Sequence, residues 1–162
     1  MSFPIKKENF QIRFANKGDA DEIYYLVQRA FSSYGEKGLN PASKETIDDI
    51  CDDINNNVVL IIEWQGYIVG SLRLVQDKEK SYFLKRFSIH PDYQHQGLGT
   101  MLYFYTEEKV REMNGKYIWL YSSTEDIKLI DFYDKLGFEC IDRDWINGYE
   151  RGLWIKKIDG VD

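Results

Sequence analysis

Two glycines, Gly97 and Gly99, stand one residue apart inside "QHQGLGT", Gln94 to Thr100. An apolar and aromatic run, Tyr82 to Ile89, and then Pro91 precede them; Leu98, Met101, Leu102 and Tyr105 follow at helical spacing. A helix start leaves its first backbone N–H groups unpaired and carries a partial positive charge. Glycine there lets an oxyanion approach the main chain without meeting a Cβ. The chemistry on offer is the holding of a phosphate or pyrophosphate. A plain loop that uses glycine for its turn is the other reading of the two residues. Familiar phosphate loops do not fit: there is no Gly-Lys-Ser/Thr, and Leu102 stands where the third glycine of a dinucleotide loop would fall.

Other reactive residue types are scattered. Cys51 and Cys140 form no C-x-x-C pair and no metal spacing. Cys51 falls on an apolar helical stripe, and both read as core residues of a protein kept reduced. No metal is expected. His90, ahead of Pro91, reads as a surface residue; His95 is either a solvated loop residue or a phosphate contact.

The elements that must position the turn follow from periodicity. Gln11 to Phe14 is a short strand, and Asn16 to Asp19 offers capping chemistry. Ile23, Val27, Ala30 and Phe31 give a first helix. "GEKGLNPAS" is a loop, after which Ser43 can cap a second helix with the stripe Ile47, Ile50, Cys51 and Ile54. Val58 to Trp64 and Tyr67 to Val75 are strands around a tight Gln65-Gly66 turn. "QDKEK" is a charged loop, and Tyr82 to Ile89 is a strand. The third helix stops at "NGK", with Gly115 as a left-handed cap. Tyr117 to Ser122 is expected to pair parallel to the Tyr82–Ile89 strand. Ser123 or Thr124 can cap a fourth helix whose face is Leu129, Phe132, Tyr133 and Leu136, with Asp126 completing a capping box. Phe138 to Ile146 and Tyr149 to Ile158 flank Asn147-Gly148, a hairpin signal. The order β-α-α-β-β-β-α-β-α-β-β over 162 residues reads as one mixed α/β domain.

Composition narrows the class. The chain is 43% hydrophobic, 15% aromatic and 30% charged, which describes a globular protein. A net charge of −6 disfavours nucleic acid, whose binding depends on phosphate neutralisation. Val58 to Ile62, the longest strongly apolar run, is too short to span a membrane. The amino terminus has no apolar core of a signal peptide, and a cytoplasmic location is expected.

Three stretches resemble the GCN5-related N-acetyltransferase (GNAT) family. "FSIHPDYQHQGLGTMLY" resembles its strand, proline and Q/R-x-x-G-x-G/A acyl-CoA loop; "LYSSTEDIKLIDFYDKLGFE" resembles its strand followed by N-x-x-A-x-x-L-Y-x-K-x-G-F; "IRFANKGDADEIYYLVQRAF" resembles its first strand and helix. The likeness covers nearly the whole chain. It implies the GNAT fold, α/β (α+β), a single mixed and mostly antiparallel sheet flanked by about four helices, as one domain over residues 1–162. It implies acetyl-CoA as co-substrate, with pantetheine along Phe87, Ser88 and Ile89 and pyrophosphate on Gln94, His95, Gln96, Gly97, Leu98, Gly99 and Thr100.

By the same resemblance Tyr133 is the acid that donates to the leaving thiolate, and both Asp126 and Tyr133 border the cofactor. Two departures stand in that motif: Asp126 where the family has asparagine, and Leu129 where it has alanine. The acceptor must be a neutral amine, which for a lysine-like group costs about 4–5 kcal/mol at pH 7. Tyr121, Asp126 and Glu63 are the candidates near the base position. Tyr24, Tyr25, Phe31 and Tyr34 sit where the family often borders its acceptor, although Phe31 reads as ordinary core packing, and Lys85 and Arg86 can favour an anionic end on the acceptor. The implied activity is acetyl transfer to a primary amine of a small molecule, peptide or protein, by a monomer or homodimer. The alternative is a non-catalytic acyl-CoA sensor of the same fold.

Overall fold

A computed structural model describes residues 7–32, 42–78 and 80–159. The elements run β1 (Phe10–Phe14), α1 (Ala20–Ala30), α2 (Ile47–Asn56), β2 (Val58–Trp64), β3 (Tyr67–Lys78), β4 (Ser81–Ile89), α3 (Leu98–Glu112), β5 (Tyr117–Ser123), α4 (Ile127–Lys135), β6 (Glu139–Ile146) and β7 (Tyr149–Lys157). This is the expected order. The strands form one seven-stranded mixed sheet in the order β1-β2-β3-β4-β5-β7-β6. The expected parallel pair is present, with Ser81 opposite Tyr117 and Phe83 opposite Trp119. The chain divides into two compact units, Met1–Arg73 with Arg86–Thr106, and Leu74–Lys85 with Glu107–Asp162.

In the first unit, Ile23, Leu26 and Val27 of α1 and Ile50 of α2 bury against Val59, Ile61 and Ile68. Each fully buried Leu, Ile or Val contributes about 1.5–3 kcal/mol, so this face holds the two helices down. Gln65 and Gly66 join β2 to β3 at φ 50° and 83°. Two successive left-handed residues make the turn that matches strand twist. In the second unit β5 alternates cleanly: Ile118 and Leu120 are buried, Tyr117 and Tyr121 exposed. Asn147 (φ 49°) and Gly148 (φ 84°) turn β6 into β7 as expected.

Several expectations need correction. Thr46, not Ser43, caps α2: its side chain accepts from the Asp49 N–H while Asp49 accepts from the Thr46 N–H. That reciprocal box satisfies two donors at once. β3 runs on to Lys78, so the charged residues from Gln76 are strand rather than loop. Asn114 (φ 61°), not Gly115, takes the left-handed conformation after α3. Gly115 is needed for space: a Cβ there would lie 2.4 Å from Val110 Cγ1. Asp126 is itself the N-cap of α4, with Ser123 and Thr124 ahead of the helix. On α3, Leu98 and Leu102 are buried as expected and Tyr103 joins them, while Met101 and Tyr105 are half-buried. Both cysteines are free and half-buried. Tyr34 and most of "GEKGLNPAS" lie outside the described residues.

Candidate active site

The candidate cradle begins at the end of β4. Arg86 has φ 53°, a conformation that residues with a side chain seldom adopt. Such strain costs about 1–3 kcal/mol and concentrates at functional positions. Beyond it lie Phe87, Ser88 and Ile89. Ser88 is buried, and its hydroxyl donates to the Arg86 carbonyl at 3.1 Å. The His90 N–H donates to Val69 O at 2.8 Å, tying this end of β4 to β3. Pro91–Tyr93 then makes one 3₁₀ turn, capped by His90 Nδ1 accepting from the Asp92 N–H at 3.1 Å. The His90 ring is thus engaged in shaping the turn, and it is half-buried rather than the surface residue expected.

The turn itself alternates. His95 (φ 65°) and Gly97 (φ 82°) are left-handed, with Gln96 between them. The first bond into the helix is Met101 N–H to Gly97 O, 3.0 Å. The backbone N–H groups of residues 95–100 have no acceptor among the described residues. A row of unpaired donors at a helix start is an anion site in waiting. A Cβ on Gly97 would meet nothing within 4 Å, so the space beside Gly97 is open. Leu98 is buried and anchors the helix start. Gln94 differs from its expected use: its Nε2 donates to Ile89 O at 3.1 Å and braces the strand end against the turn. These features suit a polyanion such as the pyrophosphate of coenzyme A.

The second unit carries Tyr133, Asp126 and Tyr121. Tyr133, 7% exposed, is packed edge-on against Phe132 and Phe138 and tilted against Trp154. Asp126 Oδ1 accepts from Lys128 N–H (3.0 Å) and Leu129 N–H (3.4 Å), so that oxygen is committed to the helix start. Tyr121 is 40% exposed, and Arg151 lies over its ring, 3.7 Å from the centroid. Arg151 also grips Asp144 at 2.7 and 3.1 Å. That bond, foremost, and then the neighbouring Tyr121 raise the Arg151 pKa, while Asp144 is lowered.

Glu63, another candidate near the base position, is bonded to Arg13 at 3.3 and 3.4 Å. Arg13 also forks onto Asp19 at 2.8 and 3.0 Å. Hydrogen bonding to Arg13 holds the Asp19 carboxyl below the usual carboxylate range.

Sequence reasoning missed a buried ion cluster in the first unit. Arg73 is fully buried on β3; its Nη2 donates to Glu45 Oε2 at 2.9 Å, and its Nη1 reaches both Glu45 Oε1 and, at 3.1 Å, Asp53 Oδ2. Asn57 Nδ2 donates to Asp53 Oδ1 at 2.9 Å. Arg86 Nε reaches Glu45 Oε1 at 3.3 Å. The sequence signal was a lone arginine inside the apolar run "IVGSLRLV". A charge in the middle of a buried strand demands partners.

The family model for the acetyltransferase (GNAT) family matches residues 20–138. The chain is 28% identical to the S-alkylcysteine N-acetyltransferase of Bacillus subtilis (strain 168) over 137 residues, covering 78% of this chain and 77% of that one. It is 25% identical to the S-(2-succino)cysteine N-acetyltransferase of the same organism over 135 residues, covering 78% and 82%. Its fold is similar to that of the PaiA N-acetyltransferase of Thermoplasma acidophilum, solved in complex with coenzyme A, with a TM-score of 0.81 at 19% identity over 91% of this chain and 98% of that one. The chain belongs to the GNAT acetyltransferase family. It is an acetyl-CoA-dependent N-acetyltransferase, and acetyl-CoA is its co-substrate.

Proposed function

We propose that this enzyme acetylates the primary amine of a small α-amino acid of the S-substituted cysteine kind. The observation behind the cofactor half is the row of unpaired N–H groups at residues 95–100, with open space before Gly97. Both curated relatives carry the name of an enzyme acting on a cysteine with a substituted sulfur, which supports the acceptor half. The family match runs through residues of both compact units, which supports reading 1–162 as one catalytic domain.

In this reading the N–H groups from His95 to Thr100 hold the pyrophosphate, and the backbone of Phe87, Ser88 and Ile89 pairs with the pantetheine arm. The neutral amine forms its bond to the acetyl carbonyl carbon as the carbon–sulfur bond breaks. Tyr133 donates to the departing sulfur. A phenol near pKa 10 against a thiol near 8.5 makes full transfer uphill by about 2 kcal/mol, so stabilisation by hydrogen bonding is the larger share of its role. Glu63 is tied to Arg13, Asp126 caps α4 and Tyr121 lies beneath Arg151. With those three occupied, the amine's proton leaves through water, and Tyr121 and Asp126 act on the acceptor side and on the cofactor arm rather than as bases. Two free cysteines agree with a reducing cytoplasm.

The test is release of free coenzyme A with S-methylcysteine, S-(2-succino)cysteine, free lysine, a polyamine and an N-terminal peptide as acceptors. Turnover with the substituted cysteines well above the rest is expected. Turnover confined to the peptide or the polyamine would overturn the acceptor assignment while leaving the cradle intact.

A further inference from the structure

We propose that Arg86 is the anchor for the acceptor's carboxylate, a specificity-determining role that deepens, and rests on, the amino-acid reading above. An α-amino acid carries its amine and its carboxylate on one carbon. A guanidinium that holds the carboxylate therefore also fixes where the amine stands.

Arg86 is half-buried, with 22% of its side chain exposed, and among the described residues only its Nε is engaged, by Glu45 at 3.3 Å. Its two terminal nitrogens have no partner among the described residues, and the side chain is partly open to solvent. Most of its fork of donors is unspent, in the geometry that matches a carboxylate with two parallel bonds.

The side chain is also braced. Glu45 is 4% exposed and gives both oxygens to Arg73, which is held in turn by Asp53 and, through it, Asn57. Glu45 is thereby a fixed post against which the Nε of Arg86 rests. Because Glu45 gives both oxygens to Arg73, its 3.3 Å contact is the single anionic partner of Arg86 among the described residues. The backbone adds a second observation. Arg86 sits at φ 53°, where glycine or asparagine would be at ease and a long cationic side chain is uncommon. Arg86 directly precedes Phe87–Ile89, the segment read above as the pantetheine edge.

The test compares kcat/KM for S-methylcysteine and for S-methylcysteamine, the same amine without its carboxylate, at matched concentrations of neutral amine. Wild-type enzyme, Arg86→Gln and Arg86→Lys are measured, with an acetyl-CoA thermal shift to establish that each variant folds and binds cofactor. Wild-type enzyme should prefer the amino acid by about tenfold to hundredfold, the range for a charged hydrogen-bonded contact. Arg86→Gln should abolish that preference, chiefly through KM for the amino acid, and Arg86→Lys should keep part of it. Equal use of both amines by wild-type enzyme would overturn the assignment, as would a preference that survives Arg86→Gln or a loss shared equally by both amines. If wild-type enzyme acetylates other amines but no amino acid, the acceptor reading fails and the anchor with it. If amino acids are substrates and Arg86→Gln still discriminates, the anchor alone fails. Should Arg86→Gln not fold, the wild-type comparison and Arg86→Lys decide.

Discussion

Replacing Gly97 by alanine separates what the turn costs from what it holds. Gly97 has φ 82°, where a Cβ costs about 1–2 kcal/mol of conformational energy. No neighbour lies within 4 Å of that Cβ, so no packing clash adds to it. For a chain of this size 1 kcal/mol moves Tm by about 2–4 °C, and the unliganded variant should melt about 2–8 °C lower. The ligand response should change for a different reason. Wild-type protein at 100 times its Kd for acetyl-CoA gains about 2.7 kcal/mol. If the coenzyme A phosphates occupy the open space beside Gly97, the new methyl group competes with them and the variant's affinity should fall at least tenfold, which removes about 1.4 kcal/mol of that gain at the same ligand concentration. Differential scanning fluorimetry with and without acetyl-CoA measures both quantities. A variant that melts lower yet keeps the full ligand-induced shift would refute the assignment of this space to the coenzyme A phosphates.

Tyr133→Phe keeps a ring of the same shape among Phe132, Phe138 and Trp154, so stability and acetyl-CoA affinity should hold while kcat drops by tenfold or more; steady-state kinetics with unchanged kcat would remove Tyr133 from the reaction. Gly115→Ala drives a methyl group to 2.4 Å from Val110 Cγ1 and 3.0 Å from Tyr82 Cε2, and should cost about 1–3 kcal/mol in urea unfolding. Asp19 is held below its usual pKa by Arg13, so its contribution is complete above about pH 4 and is lost as pH falls through the lowered value. Urea midpoints between pH 6 and 2.5 should therefore fall more steeply for wild-type protein than for Asp19→Asn, and parallel curves would refute the coupling.

The elements were legible where one signal stood alone. Val58 to Trp64 reads as a strand because a β-branched run is fenced by asparagines and by Gln65-Gly66, and β2 has those bounds. Asn147-Gly148 admits little besides a hairpin turn. Helix starts were misread where several capping residues compete: Ser43 and Thr46 are both able, and the reciprocal bond with Asp49 decides. Gly115 was read for its freedom of φ, whereas the fold uses its lack of a Cβ. At the candidate site, the glycine spacing alone left a phosphate cradle and a plain loop both open, and the proposed role of Tyr133 comes only through its motif, since a tyrosine on an apolar stripe otherwise reads as core. The lone arginine, Arg73, signalled a need for partners, but their identity was beyond reach because Glu45 and Asp53, from the segment before α2 and from α2, meet it only in the folded chain. The left-handed backbone of Arg86 leaves no trace in residue type.

The buried cluster also constrains descent. Removing one partner of a buried ion pair typically costs about 3–5 kcal/mol, a large part of the stability of most domains. Exchanging the whole set for apolar residues can be neutral. Arg73 and Glu45 therefore cannot be lost one at a time, although they lie apart in the chain, one on β3 and the other in the segment before α2. A lineage that drops one must already have covered the other. Related sequences should fall into two camps, with the full charged set or with an apolar replacement of it, and few survivors between.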